Sequence, residues 1–224
     1  MKKIALSLLL LLAIQTIQSQ ENFRIGANTA LTYSAFNGME VPTFEYQYAF
    51  GYKFGITAEY YLTPKLSLKT GLDYDKKNAK GTSVFELREG IDSPGLLYNQ
   101  TVVYHYNYLT MPLLVKYDFS EHNSFYINGG AFFGYLLNSK VTSKTEPKTE
   151  FSDISEATTK SNASIDYGVA FGLGKTIAVD DKNSIHVELR DNFGVARTNK
   201  GGTFNGNAVK SNSFNLILSW SLQL

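Results

Sequence analysis

From Tyr108 to Phe119 the chain reads YLTMPLLVKYDF. In an extended strand Leu109, Met111, Leu113, Val115 and Tyr117 share one face, and Tyr108, Thr110, Pro112, Leu114 and Lys116 share the other. A lysine opposite an unbroken apolar row predicts a wall with hydrocarbon on one side and a polar interior on the other. The run is too short for a membrane helix, which needs about 20 apolar residues. Pro112 cannot donate to a sheet ladder, so a bulge is expected there.

The same alternation recurs along most of the chain. Strands are expected at about 23–35, 48–62, 66–74, 102–119, 125–137, 165–173, 185–195 and 214–224. Most are near the ~9–11 residues that cross a bilayer with tilt. Their connections alternate long and short. Thr63-Pro64, 120–123 and 180–183 are tight turns, while 36–47, 75–100, 138–162 and 198–212 are long and polar. This asymmetry predicts an all-β fold, an eight-stranded antiparallel up-and-down transmembrane β-barrel. An even strand count puts both mature termini in the periplasm and the four long loops outside, where an extracellular ligand or protein would bind.

Charge decides which face looks inward. Arg24, Lys53, Glu59, Lys69, Asp73, Lys116, Asp166, Glu188 and Arg190 all lie on the faces opposite the apolar rows. A lysine or arginine facing mid-membrane lipid costs about 2–4 kcal/mol, so turning four outward costs on the order of 10 kcal/mol. These residues are therefore expected to form a lumen charge network. Phe23, Tyr33, Tyr60, Tyr117, Phe125, Tyr135, Phe193 and Trp220 fall near strand ends on the apolar faces, as lipid-facing aromatic girdles would. The alternative is a soluble lipocalin-like binding barrel, in which the apolar rows point inward and the charges outward.

Residues 1–19 follow a separate logic. Lys2 and Lys3 precede an apolar core, 4–14, and a polar end closing on Ser19. This reads as a signal peptide, leaving 20–224 as one exported barrel domain. A net charge of +1 gives no electrostatic case for nucleic acid. The chain has no cysteine, which excludes disulfides and thiolate metal sites. His105, His122 and His186 have no metal spacing, so no metal and no cofactor are expected. Gly172–Thr176, GLGKT, matches the end of a phosphate-binding loop, but Val169 stands where its first glycine belongs. Asn162-Ala163-Ser164 matches a glycosylation acceptor by pattern alone.

The segment from Tyr108 to Tyr117, YLTMPLLVKY, resembles the YLEIPLLxKY strand of the PorT-like outer membrane β-barrel family of Bacteroidetes, also described as outer membrane protein beta-barrel domain or porin family proteins. The leader ending before Gln20, the early glycine-bearing strand and the glycine-rich 168–174 segment agree. The sequence departs at Thr110, where the family usually has glutamate, and at Leu224, where an aromatic end is common. The resemblance implies a Gram-negative outer membrane barrel delivered by the barrel assembly machinery, with outer membrane lipids as its surroundings. It implies no particular activity. The expected role is a structural or interaction protein with a filled lumen and no catalytic residues. A narrow or gated pore and a lipid-modifying enzyme at the outer rim are the alternatives, with His105 the only histidine placed for the latter.

Overall fold

The computed structural model describes residues 22–38, 45–88, 94–120, 124–148, 153–201 and 208–224. The expected leader, 1–19, and His122 lie outside the described residues. Among the described residues nine strands form: β1 Phe23–Asn37, β2 Glu45–Thr63, β3 Leu66–Leu87, β4 Leu96–Asp118, β5 Phe125–Glu146, β6 Asp153–Ala157, β7 Ile165–Ala178, β8 Asn183–Gly194 and β9 Lys210–Gln223. Each pairs antiparallel with the next, except that β5 passes over to β7, and β9 returns to β1. The ring therefore closes on eight strands, as the alternation predicts. The ninth, β6, pairs only with the far end of β5, along Lys140–Lys144.

The strand ends that flank 64–65, 119–124 and 179–182, with both described chain ends, lie at one end of the ring, here the turn end. The strand ends that flank the long connections lie at the other, the loop end. At the first turn the Thr63 hydroxyl accepts the N–H groups of Lys65 and Leu66, which locks the reversal around Pro64.

Side chains sort as the charge argument requires. Lys53 and Lys116 are 1% and 0% exposed, whereas Phe50 and Ile56 on the outer wall are 64% and 65% exposed. This orientation is the reverse of a soluble ligand-binding barrel and removes the lipocalin-like alternative. Such a continuous apolar exterior far exceeds what a water-soluble surface carries.

The strands differ from expectation in length. β3, β4 and β5 span 22, 23 and 22 residues, against 12 for β8. The expected connection 75–100 is thus largely strand: β3 runs to Leu87 and β4 starts at Leu96. Much of 138–162 is also ordered, as the end of β5, β6 and a 3-10 turn at Thr159–Ser161. The first loop shrinks too, since β1 runs to Asn37 and β2 begins at Glu45, and the last moves back along the chain, since β8 ends at Gly194 and β9 begins at Lys210. Above the apolar band no hydrocarbon imposes a greasy outer row, so strand and polar loop look alike in sequence.

Pro112 corrects a second expectation. It pairs with Phe132 in unbroken register, so no bulge forms there. On its other side the Thr70 hydroxyl donates to the Pro112 carbonyl at 2.8 Å, and the β3 register is the same before and after the gap. The bulge sits five residues earlier, between Asn107 and Tyr108 opposite β5. Beyond it the inward residues of β5 change from even to odd numbers, Leu136 giving way to Ser139.

Candidate functional site: a charged and capped lumen

The interior is built in layers. Nearest the turn end, Lys116 Nζ lies 3.0 Å from Glu59 and 3.1 Å from Asp118. The Ser67 hydroxyl also donates to Glu59, and Lys116 donates to the Tyr61 phenol at 3.1 Å. Arg24, half-buried at the rim, sits over the Tyr61 ring and donates to Gln223. One layer up, Glu188 accepts from Lys69 at 3.1 Å, from the Tyr126 hydroxyl at 2.9 Å and from Arg190 Nε at 2.6 Å. Above it Lys53 pairs with Asp75 at 3.3 Å, and Asp73 accepts from the Asn28 amide at 2.9 Å. The last ionic layer is Lys77 with Asp166 at 2.9 Å, joined by the Ser211 hydroxyl.

Glycine on β7 makes room for these layers. Tyr126 faces Gly174, and Phe132 faces Gly168 across the β5–β7 pair. A Cβ at Gly174 would run into the Tyr126 ring, and one at Gly172 into the Asn128 and Glu188 side chains. The small row on one strand thus seats the large row on its neighbour, and Tyr126 can reach across to Glu188.

Beyond Lys77 the lumen changes character. Phe36, Ala79, Tyr106, Tyr108, Leu136 and Val209 form one buried apolar cluster at the loop end. The Phe36 and Tyr106 rings lie 4.2 Å apart, centre to centre. Lys77 spans the boundary, with its ammonium 5.2 Å from the Tyr108 ring centre and 4.9 Å from that of Phe132.

Lys53, Glu59, Lys69, Asp73, Lys116, Asp166, Glu188 and Arg190, placed on the inner faces from sequence, are all buried in this interior, and Arg24 stands at its rim. Sequence reading missed Asp75, Lys77 and Asp118. The first two fell in a supposed loop, and Asp118 lay one step past a counted strand row, although its even number in β4 matches Lys116. Where the resembled family has glutamate, Thr110 stands between β3 and β5, and the carboxylates at its level are Asp73, its cross-strand neighbour, and Asp75. His186 does not join Glu188 and Arg190; its ring nitrogens bond the hydroxyls of Thr176 and Ser221. His105 lies on the outer wall, bonded to Asn78 and Thr142. The Asn162 amide is buried and donates to Ser139 and Thr158. Among the described residues no group of acids and histidines is placed to hold a metal ion.

The aromatic residues expected to face lipid are on the exterior. Phe23, Tyr60, Tyr117, Phe125 and Trp220 lie towards the turn end, and Tyr33, Tyr135 and Phe193 towards the loop end. Trp220 donates its indole N–H to Asn183 at 3.1 Å. Tyr33 stacks on Tyr48 and contacts Phe50, and Phe54 stacks on Tyr74, which thickens the loop-end band beyond the residues singled out from sequence.

Solved structures to which this chain is similar include Neisserial surface protein A, at 14% identity and TM-score 0.44, with 90% of this chain and 97% of that one covered. OprG of Pseudomonas aeruginosa shows 12% identity and a TM-score of 0.45, with coverages of 90% and 94%. Outer membrane protein W of E. coli shows 12% identity and a TM-score of 0.47, with coverages of 91% and 97%. No curated protein matches the chain. The family model described as outer membrane protein beta-barrel domain matches residues 18–198. The chain belongs to that family and is an outer membrane β-barrel.

Proposed function

We propose that this barrel is a structural and interaction protein of the PorT-like Bacteroidetes branch, closed to solutes and without catalytic activity. The carrying observation is the lumen. Lys53, Lys69, Lys77, Lys116 and Arg190 each meet a carboxylate in a buried interior, and the apolar cluster around Phe36 and Tyr106 lies across the loop end. A conducting path would have to separate these buried pairs, and parting a buried pair leaves a costly unpaired charge. An eight-stranded ring is narrow enough for side chains to fill.

The interaction role is supported by the tall side of the wall. The outer halves of β3, β4 and β5, with β6, extend past the neighbouring strands and expose Val84, Leu87, Leu96, Leu97 and Ile154. With the tight turns and both mature termini in the periplasm, this extension stands on the cell surface. Delivery to the membrane then falls to the barrel assembly machinery. The test is single-channel recording in planar bilayers. Purified barrel is expected to give no current steps above the lipid baseline; steady unit steps proportional to added protein would sink the closed reading and favour the pore.

A further inference from the structure

The exterior of β3, β4 and β5 changes abruptly just loop-ward of its aromatic band. Tyr74 and Leu109 are cross-strand partners, and Leu109 pairs in turn with Tyr135; all three project outward. One row further, about 7 Å along the strands, Lys76 projects beside Asn107. The next rows bring His105 beside Lys140, and Lys80 beside Val103. The Lys76 ammonium sits 5.6 Å from the centre of the Tyr52 ring, so the cation is held against the wall. Lys76, Lys80 and Lys140 make no ion pair among the described residues. The first acids on this face appear one row higher, Glu45 opposite Thr82 and Asp153 opposite Lys144. The inner face of the same strands treats charge in the opposite way, since every lysine there is paired.

We propose that Lys76, Lys80 and Lys140, set around the His105 ring that Asn78 and Thr142 hold, form a binding site for the phosphate of a membrane lipid in the leaflet at the loop end. The height fits, because phosphates sit just beyond the hydrocarbon that the Tyr52, Tyr74 and Tyr135 band marks. The charge fits, because three cations that pair with no carboxylate among the described residues stand within three successive rows. The acyl chains would lie down the exposed row of Leu109, Met111 and Leu113, directly below. A soluble phosphate lacks that second contact, so the lipid is the occupant favoured. The site rests on membrane placement and does not depend on whether the lumen conducts.

Native mass spectrometry of the full barrel in detergent tests this, with bisphosphorylated lipid A, its dephosphorylated form and inorganic phosphate as probes. The phosphorylated lipid is expected to be retained about tenfold or more over the dephosphorylated one. A Lys76→Gln/Lys80→Gln/Lys140→Gln variant should lose that preference, while Lys65→Gln/Lys182→Gln at the turn end keeps it. Heat-modifiable gel mobility reports that each variant is folded. Equal retention by the triple variant, or displacement of the lipid by millimolar inorganic phosphate, would overturn the site. A conducting barrel that still prefers the phosphorylated lipid would leave this site standing and defeat only the closed-lumen reading.

Discussion

The two halves of the lumen are closed by opposite means. Towards the turn end the filling is ionic, with Lys116, Glu59, Lys69, Glu188 and Arg190 in contact layers. Towards the loop end it is Phe36, Tyr106, Tyr108 and Leu136, with no charge in the cluster. An ionic layer is all or nothing: each charge is tolerable in a dry interior only while its partner stays. An apolar cluster fails gradually, because each removed atom forfeits only its own contacts and the neighbours can partly close in. The two seals should therefore respond differently to single substitutions.

The largest effect is expected at Glu188. It accepts from Lys69, Arg190 and Tyr126 together, so Glu188→Ala takes from two buried cations the carboxylate each holds at ion-pair distance. Chemical unfolding from lipid vesicles should show a loss of about 3–5 kcal/mol. Adding Lys69→Met to Glu188→Ala should recover part of it, since one orphaned charge is then gone. A loss below about 1 kcal/mol would mean that water already reaches this layer.

Phe36→Ala tests the other half. Removing the ring from its contact with Tyr106 should cost about 3 kcal/mol, at the lower edge of the range for a large core side chain, since the cluster is small and near the rim. Planar-bilayer current should stay at baseline, because the Lys77–Asp166 and Lys53–Asp75 layers still lie below. Current steps from Phe36→Ala would show that the aromatic cluster alone is the seal, and the comparison would have to be redrawn.

The contrast between halves also explains what sequence could reveal. The ring of strands and most of the turn-side ionic layers were legible. Within the bilayer Lys53, Lys116 and Arg190 alternate against unbroken apolar rows, and only one orientation is affordable there. The loop half was opaque for two reasons. Beyond the hydrocarbon both faces of a strand turn polar, so Asp75, Lys77 and Ala79 read as loop although they continue β3. The bulge opposite Asn107 and Tyr108 then flips the parity of β5, so Leu136 and Ser139 both point inward where strict alternation forbids it. Phe36 and Val209 were lost similarly, as ends of segments whose polar neighbours dominated the reading. What the lumen charges pair with was not legible at all, because Lys69 and Glu188 are 119 positions apart and meet only across the closed ring.

The smallest effect belongs outside both halves, in the turn between β7 and β8. There the Asp180 carboxylate accepts the backbone N–H groups of Lys182 at 2.9 Å and Asn183 at 2.7 Å, and also the Asn183 amide. Bonds from the Lys182 backbone, then from Asn183, hold its carboxyl below the usual carboxylate range. A folded pKa below the unfolded one means that the turn's contribution is present above the unfolded value. It disappears as pH falls through the folded value. Asp180→Ala should therefore lower the unfolding midpoint slightly at neutral pH, and the gap from the native chain should close on acidification. A gap independent of pH would locate the turn's stability elsewhere, in the Asn183–Trp220 bond that anchors it to the wall.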